Sequence, residues 1–159
     1  MSETSPRSRR GRILNNLISQ LKTITKANGY ATSVCNVTTE IRNWDQTPSV
    51  ETPVIYIIDM GSRPQYHAGR LTEWTWTVHL TGLMKDATQI QMEELVSDIQ
   101  DCLFANGTLS VAGEVPGPAA QIRVQQVVTD GQLMRELDGS QLFTITIEIK
   151  YTASAFVSR

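Results

Sequence analysis

Residues 142–152 read LFTITIEIKYT, and this stretch decides the fold. Phe143, Ile145, Ile147, Ile149 and Tyr151 alternate with Thr144, Thr146, Glu148, Lys150 and Thr152. A period of two sends successive side chains to opposite faces of a strand, so one face here is apolar and the other wet. The apolar face must be covered by another layer, which makes the chain a sheet protein with something packed on one side.

Working back from this strand, Trp74, Trp76, Val78 and Leu80 alternate with Thr75, Thr77, His79 and Thr81 and predict a second half-buried strand. The run Val54-Ile55-Tyr56-Ile57-Ile58 follows Pro53 without alternation. It reads as a central strand covered on both faces. Gln121 to Thr129 is a further strand whose alternation slips at Gln125-Gln126, as a bulge would make it do. Tyr30 to Cys35 reads as a short strand, with Val37 to Arg42 pairing back onto it. Asp130-Gly131 and Asp138-Gly139 are hairpin-turn signals that lead into the final strand.

Two segments carry the helical period. Ile13, Leu14, Leu17, Ile18, Leu21 and Ile24 predict an amphipathic helix from about residue 12 to residue 27, stopped by Asn28-Gly29. Met92, Leu95, Val96, Ile99, Cys102 and Leu103 mark one face of a second helix, Gln89 to Ala105, stopped by Asn106-Gly107. Thr88-Gln89-Ile90-Gln91 is a capping-box pattern, with Asp86 as a rival cap. Glu93, Glu94, Asp98 and Asp101 fall mostly on the opposite face and read as solvated charges. The fold class is therefore α/β of the α+β type: a mainly antiparallel sheet with two amphipathic helices packed on it.

Composition sets the remaining bounds. A chain of 159 residues is one domain by prior, and 40% hydrophobic with 19% charged residues suits an ordinary globular fold. No run approaches the roughly 20 apolar residues of a membrane helix, and no apolar leader segment opens the chain. This points to synthesis and residence in a cytoplasm-like compartment. The net charge of −2 is unevenly placed. Arg7, Arg9, Arg10 and Arg12 against Glu3 give residues 1–12 a charge of +3, which leaves −5 on the rest. We read residues 1–11 as a flexible basic arm, dispensable for folding, and residues 12–159 as a single domain. The arm either touches an acidic partner or nucleic acid, or is solvated. An acidic body does not grip a phosphate backbone.

No reactive constellation stands out. Cys35 and Cys102 lack CxxC spacing and are expected to be reduced and buried. His67 and His79 have no patterned nucleophile or carboxylate partner, and no phosphate-loop motif is present. No catalytic, cofactor or metal residue is assigned. The loops Asn43 to Pro53 and Met60 to Glu73 carry Trp44, Arg63, Tyr66 and Arg70, residue types enriched at interface hot spots, and these are the candidate interface residues. The competing reading folds Trp44 back onto the core.

The ordered set of elements resembles the tail terminator (tail completion) proteins of long-tailed bacteriophages. The similarity rests on the Pro-led strand Thr52-Pro53-Val54-Ile55-Tyr56-Ile57-Ile58-Asp59-Met60-Gly61, the Trp-bearing strand Thr72 to Leu80, the acidic helix from Gln89 and the closing strand Phe143 to Tyr151. The opening helix with Asn28-Gly29-Tyr30 fits as well, so the resemblance spans about residues 12–153. It implies a non-enzymatic virion protein without cofactors that forms a hexameric ring on the end of the tail tube and stops its polymerisation. Its implied partners are other copies of itself, the tail tube protein and a head-completion or neck protein, with the sheath protein as a further candidate neighbour. DNA passes through such a ring without specific binding. The implied location is the head-proximal end of the tail, with the host cytoplasm as the place of assembly. The alternatives are another neck or tail-tube component, or a small enzyme with a cryptic site.

Overall fold

A computed structural model of the protein describes residues 9–42, 46–65, 71–104, 108–109, 120–129 and 140–154. Among these residues two helices, α1 (Arg9–Leu21) and α2 (Gln89–Phe104), accompany six strands. These are β1 (Asn36–Thr38), β2 (Val54–Gln65), β3 (Leu71–Met84), β4 (Thr108–Leu109), β5 (Ala120–Thr129) and β6 (Gln141–Ser154). They form one sheet in the order β1-β2-β3-β6-β5-β4. Only β1 and β2 run parallel; every other neighbouring pair is antiparallel. The class is α+β.

The two alternating strands of the sequence are partners at the centre of the sheet. β3 and β6 stay in register from Leu71↔Ser154 to Met84↔Gln141, so Trp76 faces Ile149, Val78 faces Ile147 and Leu80 faces Ile145. These six side chains are buried, as are Ile55 and Ile57 of β2. Ile13, Leu17 and Leu21 of α1 and Met92, Leu95, Ile99 and Leu103 of α2 join them in one core cluster. The helices thus cover the apolar face of the sheet. On the other face Thr77, His79, Thr81, Thr144, Thr146, Glu148 and Lys150 are half-buried. At one end of that face Val54 and Tyr56 pack with Leu83 and Leu142 in a second, smaller cluster, and the Tyr56 hydroxyl shares a 3.0 Å hydrogen bond with Thr47 Oγ1. This is why the run at 54–58 lacks alternation: one parity serves each cluster.

Helix ends follow their local chemistry. Thr88 and Gln91 form the expected reciprocal box, Thr88 N donating to Gln91 Oε1 at 2.9 Å and Gln91 N to Thr88 Oγ1 at 3.3 Å. α1 stops at Leu21 rather than at residue 27. The β-branched Thr23-Ile24-Thr25 follows, and two of its hydroxyls divert the backbone: Thr23 Oγ1 donates to Gln20 O at 2.6 Å, and Thr25 caps a separate 3-10 turn, Lys26–Asn28. Gly29, at φ 92°, closes that turn instead of the helix.

Other expectations need correction. Tyr30 to Cys35 is not a strand and no hairpin forms with 37–42; the backbone of Val34 bonds to Ile24 O and that of Cys35 to Pro53 O. β1 pairs with β2 instead, as Val37↔Ile55. Met60 to Glu73 is not a loop throughout: residues 60–65 and 71–73 belong to β2 and β3. Gly61 and Pro64, read as turn residues, sit in β2 where no described strand pairs with its outer edge, and both are tolerated there. Gly61 (φ 98°) lies at the register shift between Asp59 and Ser62. The slip at Gln125-Gln126 corresponds to the register shift between Val124 and Gln126. Thr108 and Leu109, read as loop, pair with β5. Asn106-Gly107, Asp130-Gly131 and Asp138-Gly139 lie outside the described residues.

Candidate functional site

Of the four candidate interface residues, Trp44, Tyr66 and Arg70 lie outside the described residues. Arg63 is described; it is an exposed β2 residue opposite Thr75, not a loop residue. The described residues bring together a different group at the start of α1.

Arg10 was read as part of a flexible arm, yet α1 begins at Arg9 and Arg10 is anchored to the sheet. Its guanidinium carbon lies 4.4 Å from the centroid of the Trp76 ring. It pairs with the Asp59 carboxylate and donates to Ser62 Oγ at 3.1 Å. The other Asp59 oxygen accepts from Trp76 Nε1 at 2.9 Å and from Gly61 N at 2.8 Å. Partial burial pushes the Asp59 carboxyl up, but the Gly61 and Trp76 donors and the Arg10 charge outweigh it and hold the group below its ordinary value. The bulge at Gly61 is therefore functional in the geometric sense: it turns the backbone N–H of Gly61 onto the acid.

Two periodicities explain the cluster. Arg10 precedes Ile13, Leu14 and Leu17 by three, four and seven residues, so it extends the buried stripe of α1 by one turn. Asp59 shares the parity of Ile55 and Ile57, so it falls on the helix-covered face of the sheet. Both relations were available in the sequence. Apolar residues alone do not mark them, because the apolar stripe of α1 begins at Ile13 and the apolar run of β2 ends at Ile58.

Beside this cluster lies a groove of about 480 Å³. It is lined by Arg10, Gly11 and Leu14 of α1, Ile57, Ile58 and Asp59 of β2, Trp76 of β3, and Thr39 and Ile41, which follow β1. Ile41 is 61% exposed and Met60, next along β2, is 51% exposed. Because Arg10 and Asp59 neutralise each other, the groove is an apolar channel with a polar end. It suits an uncharged, apolar chain segment.

The remaining candidates do not converge on it. His79 sits on the opposite face of the sheet, across from Ile58 and Thr146. Asp98, read as a solvated charge, is buried: its carboxylate accepts from Thr32 N at 2.8 Å, Thr32 Oγ1 at 2.6 Å and Ala31 N at 3.3 Å, tying α2 to the segment after Gly29. Glu93, Glu94 and Asp101 are exposed as expected. Cys102 is buried, and its thiol donates to Gln20 O at 3.2 Å. Cys35, expected to be buried, is exposed, with its thiol donating to Thr52 O at 3.1 Å. Among the described residues no group of three or more His, Cys, Asp and Glu side chains could hold a metal ion, and no helix is long and apolar enough to cross a membrane. Neither a protein-family model nor a curated protein matches the chain.

Proposed function

We propose that this chain is a structural protein of a long-tailed phage, a tail terminator that caps the tail tube as a closed ring and presents a face to the neck. The observation that carries the reading is the order of the elements: an opening helix, a Pro-led apolar strand, a Trp-bearing strand, an acidic helix and an alternating closing strand. The closing strand lies against the Trp-bearing strand along its whole length. A ring of identical subunits needs two different surfaces per subunit that fit each other, and an open sheet flanked by helices on one side supplies several.

The partners of this reading are the tail tube protein, a neck protein and other copies of the chain, with six the expected number around the tube. DNA is a passing cargo and not a ligand. The test is mass measurement and imaging of the purified chain, alone and with preformed tail tubes. A six-fold ring at tube ends, with growth halted, is the expected result. Unlimited self-polymerisation of the chain alone identifies a tube component instead, and absence of any symmetric ring at the tube end refutes the terminator reading.

A further inference from the structure

We propose that the groove between α1 and β2 seats the first turn of α2 from a second copy of this chain, with Ile90 as the anchoring side chain. The inference rests on the ring reading for the presence of a second copy and goes beyond it in naming the two surfaces that meet.

The large apolar side chains exposed among the described residues are Ile41, Val50, Met60 and Ile90. Three of them mark the side of the molecule that holds the groove. Ile41 stands in its wall, and Met60 follows Asp59 at its polar end. Val50 precedes Glu51, which pairs with Arg42, the neighbour of Ile41. Ile90 stands apart. It is 72% exposed, whereas Met92, Leu95, Val96 and Ile99 of the same helix are at most 5% exposed. None of the residues that line the groove belongs to α2. Knob and groove are therefore separate surfaces of one subunit. An exposed apolar side chain and an apolar depression elsewhere on the same molecule are the two halves of a contact between copies.

The chemistry of the two surfaces agrees. The groove suits an uncharged segment, and Thr88-Gln89-Ile90-Gln91 carries no charge. Ile90 finds apolar neighbours there in Leu14, Ile57 and Trp76, and Gln89, exposed beside it, brings an amide to the polar end. Charge enters one turn later, at Glu93 and Glu94, both exposed. α2 contains no Lys or Arg to neutralise them. The cation on the other side is Arg42, beside Ile41. Its pair with Glu51 is 3.4 Å long and about half exposed on both sides, so it is weak and open to exchange.

The fit is reciprocal. Glu93, Glu94 and Ser97 follow Ile90 by three, four and seven residues, the spacing of one helix face. With Ile90 they bound a shallow depression of about 420 Å³. Ile41, 61% exposed at the lip of the groove, has that depression to enter when Ile90 occupies the groove. Anchors at this spacing are how a helix is read by a groove. Because the knob and the groove differ, the contact is heterologous and passes from copy to copy until it closes, each subunit giving one surface and receiving the other.

The experiment uses the full chain as the parent, as Ile90→Asp, as Ile41→Asp and as an equimolar mixture of the two variants. Both side chains are exposed, and an acid in the first turn of α2 suits the helix dipole, so the fold is kept, which melting curves verify. Ile90→Asp puts a charge into the apolar groove, and Ile41→Asp puts one against Glu93 and Glu94. Association is followed by cross-linking and mass measurement over a concentration series and with tail tubes. Under the conditions in which the parent assembles, each variant alone should assemble about tenfold or more weakly. The mixture should form pairs and nothing larger, because the Ile90→Asp chain keeps its groove and the Ile41→Asp chain keeps its Ile90. Parent-like assembly by either variant, or a mixture that forms no pairs or grows beyond them, overturns the docking inference and leaves the ring reading standing. A parent chain that stays monomeric at every concentration and at tube ends overturns both.

Discussion

Gly82 offers the sharpest test of the packing described above. It is buried on β3, directly across from Phe143 on β6 and from Ile55 on β2. A Cβ built on Gly82 would lie 2.1 Å from Phe143 Cζ, 2.2 Å from Cε1 and 2.9 Å from Cε2. The far end of the ring lies over the glycine, and it cannot swing into solvent because Phe143 is 1% exposed. Ordinary carbon contacts begin near about 3.5 Å, so Gly82→Ala must displace the ring by more than 1 Å in a closely packed core. Overpacking of this kind costs about 1–3 kcal/mol. Replacing glycine within a strand returns about 0.5–1 kcal/mol of chain entropy. The net expectation is a loss of up to about 2.5 kcal/mol, centred on about 1 kcal/mol, or a fall of roughly 2–4 °C in melting temperature at that centre for a domain of this size. Urea titration of Gly82→Ala, Phe143→Leu and the double variant separates the terms. The double variant should be more stable than the sum of the single losses implies, by about 0.5–3 kcal/mol, because the new methyl fills space the smaller side chain vacates. Additive losses, or a Gly82→Ala protein as stable as the parent, would show that the ring is not held over residue 82.

Three further outcomes are expected. Ile147→Ala and Leu95→Ala remove side chains that are 0% exposed, so each should cost about 2–5 kcal/mol by denaturant titration, and parent-like melting of both would overturn the core assignment. Arg10→Ala removes the guanidinium from Trp76 and Asp59 and should cost about 1 kcal/mol; because the folded-state Asp59 carboxyl is depressed, its contribution is fully present above the unfolded value near pH 4 and is lost as pH falls through the folded value, so Asp59→Asn should flatten the acid end of the stability–pH curve, and a curve superimposable on the parent's would refute the assignment. The full chain and a form lacking residues 1–8, which keeps Arg10, should both fail to bind duplex DNA at physiological salt, whereas tight, salt-sensitive binding by the shortened form would overturn the reading of DNA as a passing cargo.

The central sheet was legible because β3 and β6 are each apolar on one parity and polar on the other. That pattern needs no knowledge of the partner. α2 was legible to within one residue, since its capping box and its apolar stripe agree. What escaped was set by tertiary context. Gly61 and Pro64 are turn residues by composition, yet β2, which no described strand flanks on that side, absorbs both. Asp98 looks like a surface charge by type, but the loop after Gly29 supplies three donors that bury it. Arg10 looks like part of a flexible arm when α1 is read from its apolar residues, whereas a guanidinium over an indole occupies the stripe as a leucine would. The candidate interface residues were chosen by type, and three of the four lie outside the described part of the protein. The groove at Ile41 had no motif, because its walls come from α1, β2, β3 and the segment after β1, which meet only in the folded chain.

The placement of β6 between β3 and β5 has a consequence for how the protein is made. β3 leaves the ribosome early, pairs with β2 as a hairpin, and then waits. Its other edge, with Trp76, Val78 and Leu80 alongside, has no partner while α2, β4 and β5 are synthesised, because the strand that completes it is the last of the six to emerge. Pairing of strands so distant in sequence carries a loop-closure cost that local helices do not meet, and it slows folding. A ribosome stalled before Gln141 therefore holds a chain in which this edge of β3 lacks its partner, prone to pair with a neighbour on the same message. Emergence of β6, and not of the first helix, is thus what lets the sheet close around β3.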